Sequence, residues 1–143
     1  MRGHGLRKIR NAEIGNEKSI MASRLTEEFR ERTKRFAVQV IRLYASLPRD
    51  NEPARVCGRQ LLRAGTSVAA HTREASRARS DQEFASKLGG CTQEADESQL
   101  WLELLREECA IPPQYTEALE MESGELIAIM TSMINRTKNR VAS

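Results

Sequence analysis

The chain has 143 residues, of which 30% are charged and 4% aromatic, with a net charge of +3. That length suits one domain burying about 70% of its unfolded surface, and a composition rich in Ala, Leu, Glu and Arg favours helices over a β-rich fold. No apolar run approaches the ~20 residues that a membrane helix needs.

Residues 1–22 show no sustained periodicity and read as a flexible basic leader. Arg2, Arg7, Lys8, Arg10 and Lys18 stand there against Glu13 and Glu17, which accounts for the whole net charge. Such an arm can neutralise phosphates or simply be a solvated tail. It lacks the apolar centre of a signal peptide, so a cytoplasmic protein is expected. Met21 offers a second possible start.

Residues 23–143 are expected to form a bundle. Leu25, Phe29, Phe36, Val40, Leu43 and Leu47 fall on one helical stripe, which predicts a helix over 24–47. Pro48 and Asp50-Asn51 stop it. A second helix is predicted over 53–76, with Pro53 tolerated in its first turn. Leu61, Leu62, Gly65, Val68, Ala69, Thr72 and Ala75 hold one phase straight through "AGTS". A turn would reset that phase, so neither a helix-turn-helix nor a phosphate-binding loop is expected there.

Ser80 followed by Glu83 is a capping-box signature. It opens a third helix over 81–109, on which Phe84, Leu88, Cys91, Ala95, Ser98, Leu102 and Leu105 form an uninterrupted heptad. Pro112 and Pro113 end that helix. A fourth is predicted over 113–138, its inner face marked by Leu119, Leu126, Met130 and Met133. Short connections force antiparallel neighbours. The predicted fold is therefore all-α, an up-down-up-down four-helix bundle.

Antiparallel pairing about Arg79 sets levels between helices 2 and 3. Gly65 should lie near Thr92, and Ala69 near Gly89, so the Gly89-Gly90 pair is expected to serve a close approach of small residues. Arg63 falls level with Glu94 and Glu97, and an ion pair that fixes register is expected there.

Three stretches, "RTKRFAVQVIRLY", "GRQLLRAGTSVAAHTREASRARSDQEFASKL" and "EADESQLWLELL", resemble the bacterial four-helix-bundle proteins encoded in intervening sequences of 23S ribosomal RNA genes. The resemblance spans about residues 26–140 in matching order. It implies a homopentamer without catalytic activity. The family includes the accessory variability determinant of diversity-generating retroelements, so a reverse transcriptase and nucleic acid are implied as possible partners. The family's usual "GANYREA" stands here as "AAHTREA", Ala69 to Ala75, with His71 for an asparagine and Thr72 for an aromatic residue.

The residues favour self-association independently. Val38, Ile41, Leu100, Trp101, Leu104, Ile127 and Ile134 exceed what one inner stripe per helix uses, and they are candidate interface residues. Catalytic groupings are scarce. His71 is the only histidine in the bundle and reads as a polar edge residue, and Ser67 with His71 lacks an acid or oxyanion hole. No Glu-x-x-His pair supports a di-iron site. Cys57, Cys91 and Cys109 read as packing residues, not as a disulfide framework or zinc site. Neither metal, cofactor nor enzymatic activity is expected. Two functions follow as expectations: a scaffold holding RNA or DNA through Arg55, Arg59, Arg73, Arg77, Arg79, Arg136, Lys138 and Arg140, or a protein adaptor that touches no nucleic acid.

Overall fold

A computed structural model describes residues 25–142, so the leader lies outside the described residues. Thr26 opens helix α1 (Glu27–Ser46): its hydroxyl accepts from Phe29 N at 3.0 Å, with Glu27 and Glu28 in the dipole-favoured first turn. Asn51 opens α2 (Glu52–Ala75), accepting from Ala54 N at 3.1 Å. Its Nδ2 donates to the carbonyl of Cys109 at 2.8 Å, which ties the first turn to the end of the third helix. Ser80 opens α3 (Asp81–Glu108), accepting from Glu83 N at 3.0 Å, while Glu83 Oε1 accepts from Arg79 N at 2.9 Å. Every position of the α3 heptad, from Phe84 to Leu105, is buried.

The last helix starts later than expected. Pro112 and Pro113 are accommodated in a 3-10 turn, Pro113–Tyr115, because Tyr115 N and Thr116 N donate three residues back at 3.0 Å each. Helix α4 proper is Glu117–Ala142. It also runs on past residue 138 to Ala142, and Thr137 extends the inner face beyond Met133, buried and donating to Met133 O at 2.8 Å. At the end of α3, Ala110 has φ of 60°, a left-handed conformation that costs a residue with a Cβ.

The four helices form an antiparallel bundle whose core joins Phe36, Val40, Leu61, Val68, Phe84, Leu88, Leu102, Leu126 and Met130. Consecutive helices pack extensively; α1 and α4 touch sparsely. A bidentate pair spans that seam, with Arg32 Nε and Nη2 donating to Glu122 at 2.7 and 2.9 Å and Nη2 also reaching Glu125 at 2.5 Å. The two carboxylates push the Arg32 pKa upward against a smaller desolvation effect.

The small residues corrected one expectation. Helix α2 runs unbroken through Gly65, but Gly65 does not face α3. A Cβ there would come within 2.8 and 2.9 Å of the two methyl carbons of Val40 on α1. Gly58 likewise meets Leu47 and Tyr44 of α1. Gly89 and Gly90 make no close approach to another helix, since a Cβ on either would have nothing within 4 Å. They line an open groove of about 640 Å³ between α3 and the end of α4, with Thr137, Lys138 and Val141 opposite. The turn at Arg79 fixes which residues stand level, but not which way each points around its helix axis. Gly89 points away from α2.

Candidate nucleic-acid interface

Antiparallel order decides which cations meet. The start of α1, the α2–α3 turn and the end of α4 share one end of the bundle, where Arg140 Nη2 lies 3.7 Å from Asp81 Oδ1. Arg73, Arg77 and Arg79 therefore stand at the same end as Arg136, Lys138 and Arg140. Arg79 is 92% exposed and only 4.0 Å from Glu83. Among the described residues, Arg73, Arg77 and Lys138 are exposed and have no acidic partner. Arg136 Nη1 donates to Ser132 Oγ at 2.9 Å. Three nearby acids are already engaged: Glu74 lies 3.6 Å from Lys87, and Asp81 and Glu83 face the arginines just named.

Arg55 and Arg59 do not join this group. They sit at the opposite end of α2, roughly 30 Å away along a helix that rises 1.5 Å per residue. Arg55 stacks over Tyr44 with its guanidinium carbon 5.0 Å from the ring centroid, and its Nη2 donates to the phenol oxygen at 3.3 Å. Arg59 lies 3.8 Å from Glu52.

At mid-height Arg63 bridges α2 to α3. Its Nη1 lies 3.3 Å from Glu94 and its Nη2 2.6 Å from Glu97. The Glu97 hydrogen bond is the main reason its pKa rises. His71 joins the same network: Nδ1 is 3.5 Å from Glu74 and Nε2 is 3.8 Å from Glu94. The histidine thus lies in a line of surface charges. Among the described residues no cluster of His, Cys, Asp and Glu could hold a metal ion, and no helix is long and apolar enough to cross a membrane.

The profile of the 23S rRNA-intervening sequence proteins matches residues 27–132, which covers all of α1, α2 and α3 and most of α4. The chain belongs to that family. A solved structure agrees: the crystal structure of a protein of unknown function from the S23 ribosomal protein family of Bacteroides thetaiotaomicron VPI-5482 is 35% identical. The match covers 73% of this chain and 96% of that one, with a TM-score of 0.66. No curated protein matches the chain.

Within this 23S rRNA-intervening sequence protein, Thr72 lies in the core. It is 1% exposed, donates to Val68 O at 2.7 Å and has its Oγ1 3.6 Å from Cys91 Sγ. An aromatic ring at that position would have to displace core atoms. Cys91 is fully buried, and desolvation pushes its thiol pKa up to about 11. The candidate interface residues divide. Ile41 and Leu100 are 48% and 47% exposed. Trp101, Ile127 and Ile134 pack partly against the core, while Val38 and Leu104 are half-buried. Trp101 Nε1 is buried without a hydrogen-bond partner among the described residues. Sequence reasoning passed over Met121, Tyr115 and Val141, which are 68%, 54% and 58% exposed. Isolated apolar residues between charges carry no periodic signal that would single them out.

Proposed function

We propose that the protein is a non-catalytic, oligomeric helical scaffold that holds structured RNA or DNA by its phosphate backbone. The observation that carries this is the gathering of Arg73, Arg77, Arg79, Arg136, Lys138 and Arg140 at one end of the bundle. Two separated stretches of sequence converge there, and Arg73, Arg77 and Lys138 have no acid paired with them among the described residues. The aromatic side chains that could stack bases are mostly spent elsewhere: Phe29, Phe36 and Phe84 are core residues. Recognition is therefore backbone-directed and tolerant of sequence. A homopentamer, as the family resemblance implies, would repeat the basic end five times and convert weak single contacts into avidity.

The test is a salt titration of binding to a structured RNA and to duplex DNA. Each phosphate contact contributes about −0.9 to the log–log slope on duplex DNA. Reversing two contacts with Arg77→Glu and Arg79→Glu should flatten that slope by about 1.8. Arg55→Glu with Arg59→Glu, at the far end, should leave it unchanged. Absence of binding by the unmodified protein at low salt refutes the proposal.

The exposed Ile41 and Leu100 favour a second reading. There the protein is an adaptor for a protein partner such as a reverse transcriptase. Capture of that partner would then depend on Ile41→Asp or Leu100→Asp and ignore the arginine reversals.

A further inference from the structure

The end of the bundle opposite the arginines holds a second chemical feature. Cys57, one turn into α2, and Cys109, the residue that caps α3, place their sulfur atoms 3.9 Å apart. They approach across two different helices and are far apart in sequence. Asn51 holds the Cys109 carbonyl at 2.8 Å, so the backbone of the second thiol is fixed to the start of the helix that carries the first. Cys109 has left the helix (φ −113°, ψ 12°), and Ala110 follows in a left-handed conformation. The Cys109 side chain thus sits on backbone that is not locked into a helical ladder, where a rotation about χ1 can close the remaining gap. Cys57 is half-buried whereas Cys109 is 5% exposed.

We propose that Cys57 and Cys109 form a thiol–disulfide exchange site, which takes a low-molecular-weight disulfide and becomes an intramolecular disulfide between α2 and the end of α3. The accessibility of the two sulfurs sets the order of events. The Cys57 thiolate attacks the small disulfide, breaks its S–S bond and releases one thiolate, which takes up the Cys57 proton. Cys57 is then a mixed disulfide. The Cys109 thiolate attacks Cys57 Sγ, forms the protein disulfide and expels the second small thiolate, which takes up the Cys109 proton. Two cysteines are oxidised and one small disulfide is reduced to two thiols. Burial and the neighbouring Cys57 both hold the Cys109 pKa above the ordinary thiol value. Cys91, fully buried in the core, takes no part.

The experiment uses the full chain with oxidised glutathione, an acid quench, alkylation and intact mass. The expected product is lighter than the reduced protein by two hydrogens, keeps one alkylatable thiol at Cys91, and yields a Cys57–Cys109 linked peptide on non-reducing digestion. It should also melt at a higher temperature than the reduced protein, and reduction should reverse the gain. Cys109→Ser should stop as a glutathione adduct at Cys57, and Cys57→Ser should stay fully reduced under the same conditions. Unmodified protein that remains reduced, accumulates as the glutathione adduct, or links between chains instead overturns the proposal.

Discussion

Replacing Gly65 and Gly89 by alanine should shift stability in opposite directions, although both lie inside long helices. In each case alanine gains about 1 kcal/mol of helix propensity. At Gly89 nothing opposes that gain, because a Cβ has no atom within 4 Å. The variant should be about 1 kcal/mol more stable, which raises Tm by about 3 °C for a chain of this size. At Gly65 the new methyl lands 2.8 and 2.9 Å from the methyl carbons of Val40, which is itself wholly buried. Val40 is β-branched, so its helical rotamer cannot swing aside cheaply. Overpacking of this kind costs about 1–3 kcal/mol, so Gly65→Ala should lose as much as about 2 kcal/mol after the propensity gain. Urea and thermal unfolding followed by circular dichroism measure both variants. Combining Gly65→Ala with Val40→Ala should recover about 1 kcal/mol relative to additivity, since the second change removes the clashing atoms. A Gly65→Ala protein more stable than the parent, or a Gly89→Ala protein less stable, would refute the assignment of these two faces.

Ala110→Gly should stabilise by about 1 kcal/mol, because φ of 60° is free for glycine and strained for alanine; chemical denaturation reads the gain. Arg32→Ala should cost about 1 kcal/mol and weaken most at the sparse α1–α4 seam, where hydrogen exchange of the α4 amides near Glu122 and Glu125 should speed up relative to those of α2. Arg106 donates to both oxygens of Glu120 at 2.8 and 2.9 Å, and this holds the Glu120 pKa below its ordinary 4.5. Stability from that pair is fully present above pH 4.5 and is lost as pH falls through the lower folded-state value. Glu120→Gln should therefore be less stable near neutrality and show a flatter decline of unfolding free energy below pH 4.5.

Much of this architecture is written in local pattern. The α3 heptad, the Ser80 cap and the unbroken phase across Gly65 each depend on residues within a few turns, where helical geometry leaves little freedom. The level of Arg63 against Glu94 and Glu97 follows from a short turn in the same way. What local pattern leaves open is azimuth. Helix α2 has neighbours on two sides, and a run of small residues does not say which of them approaches; Gly65 and Gly58 turned out to serve α1. The Arg32–Glu122 pair was illegible for a related reason. No short turn joins α1 to α4, so no arithmetic sets their relative height. The start of α4 was misplaced because Pro113 suits the first turn of an α-helix and of a 3-10 helix equally well. The basic end is legible in part: Arg73, Arg77 and Arg79 crowd one turn, but only the antiparallel order brings Arg136, Lys138 and Arg140 to them and sends Arg55 and Arg59 away.

An even number of antiparallel helices returns the chain to the side from which it set out, so Leu25 and Ala142 emerge beside Arg77 and Arg79. This has a practical consequence for handling the protein. A purification tag or fluorescent fusion joined directly at Leu25 or Ala142 would hang over the basic end, where an acidic epitope would compete with phosphates for the same cations. The turn at Pro48 to Asn51 and the loop at Ala110 to Pro113 point the other way. A label placed at Arg49 or Gln114 should report on binding without standing in its path.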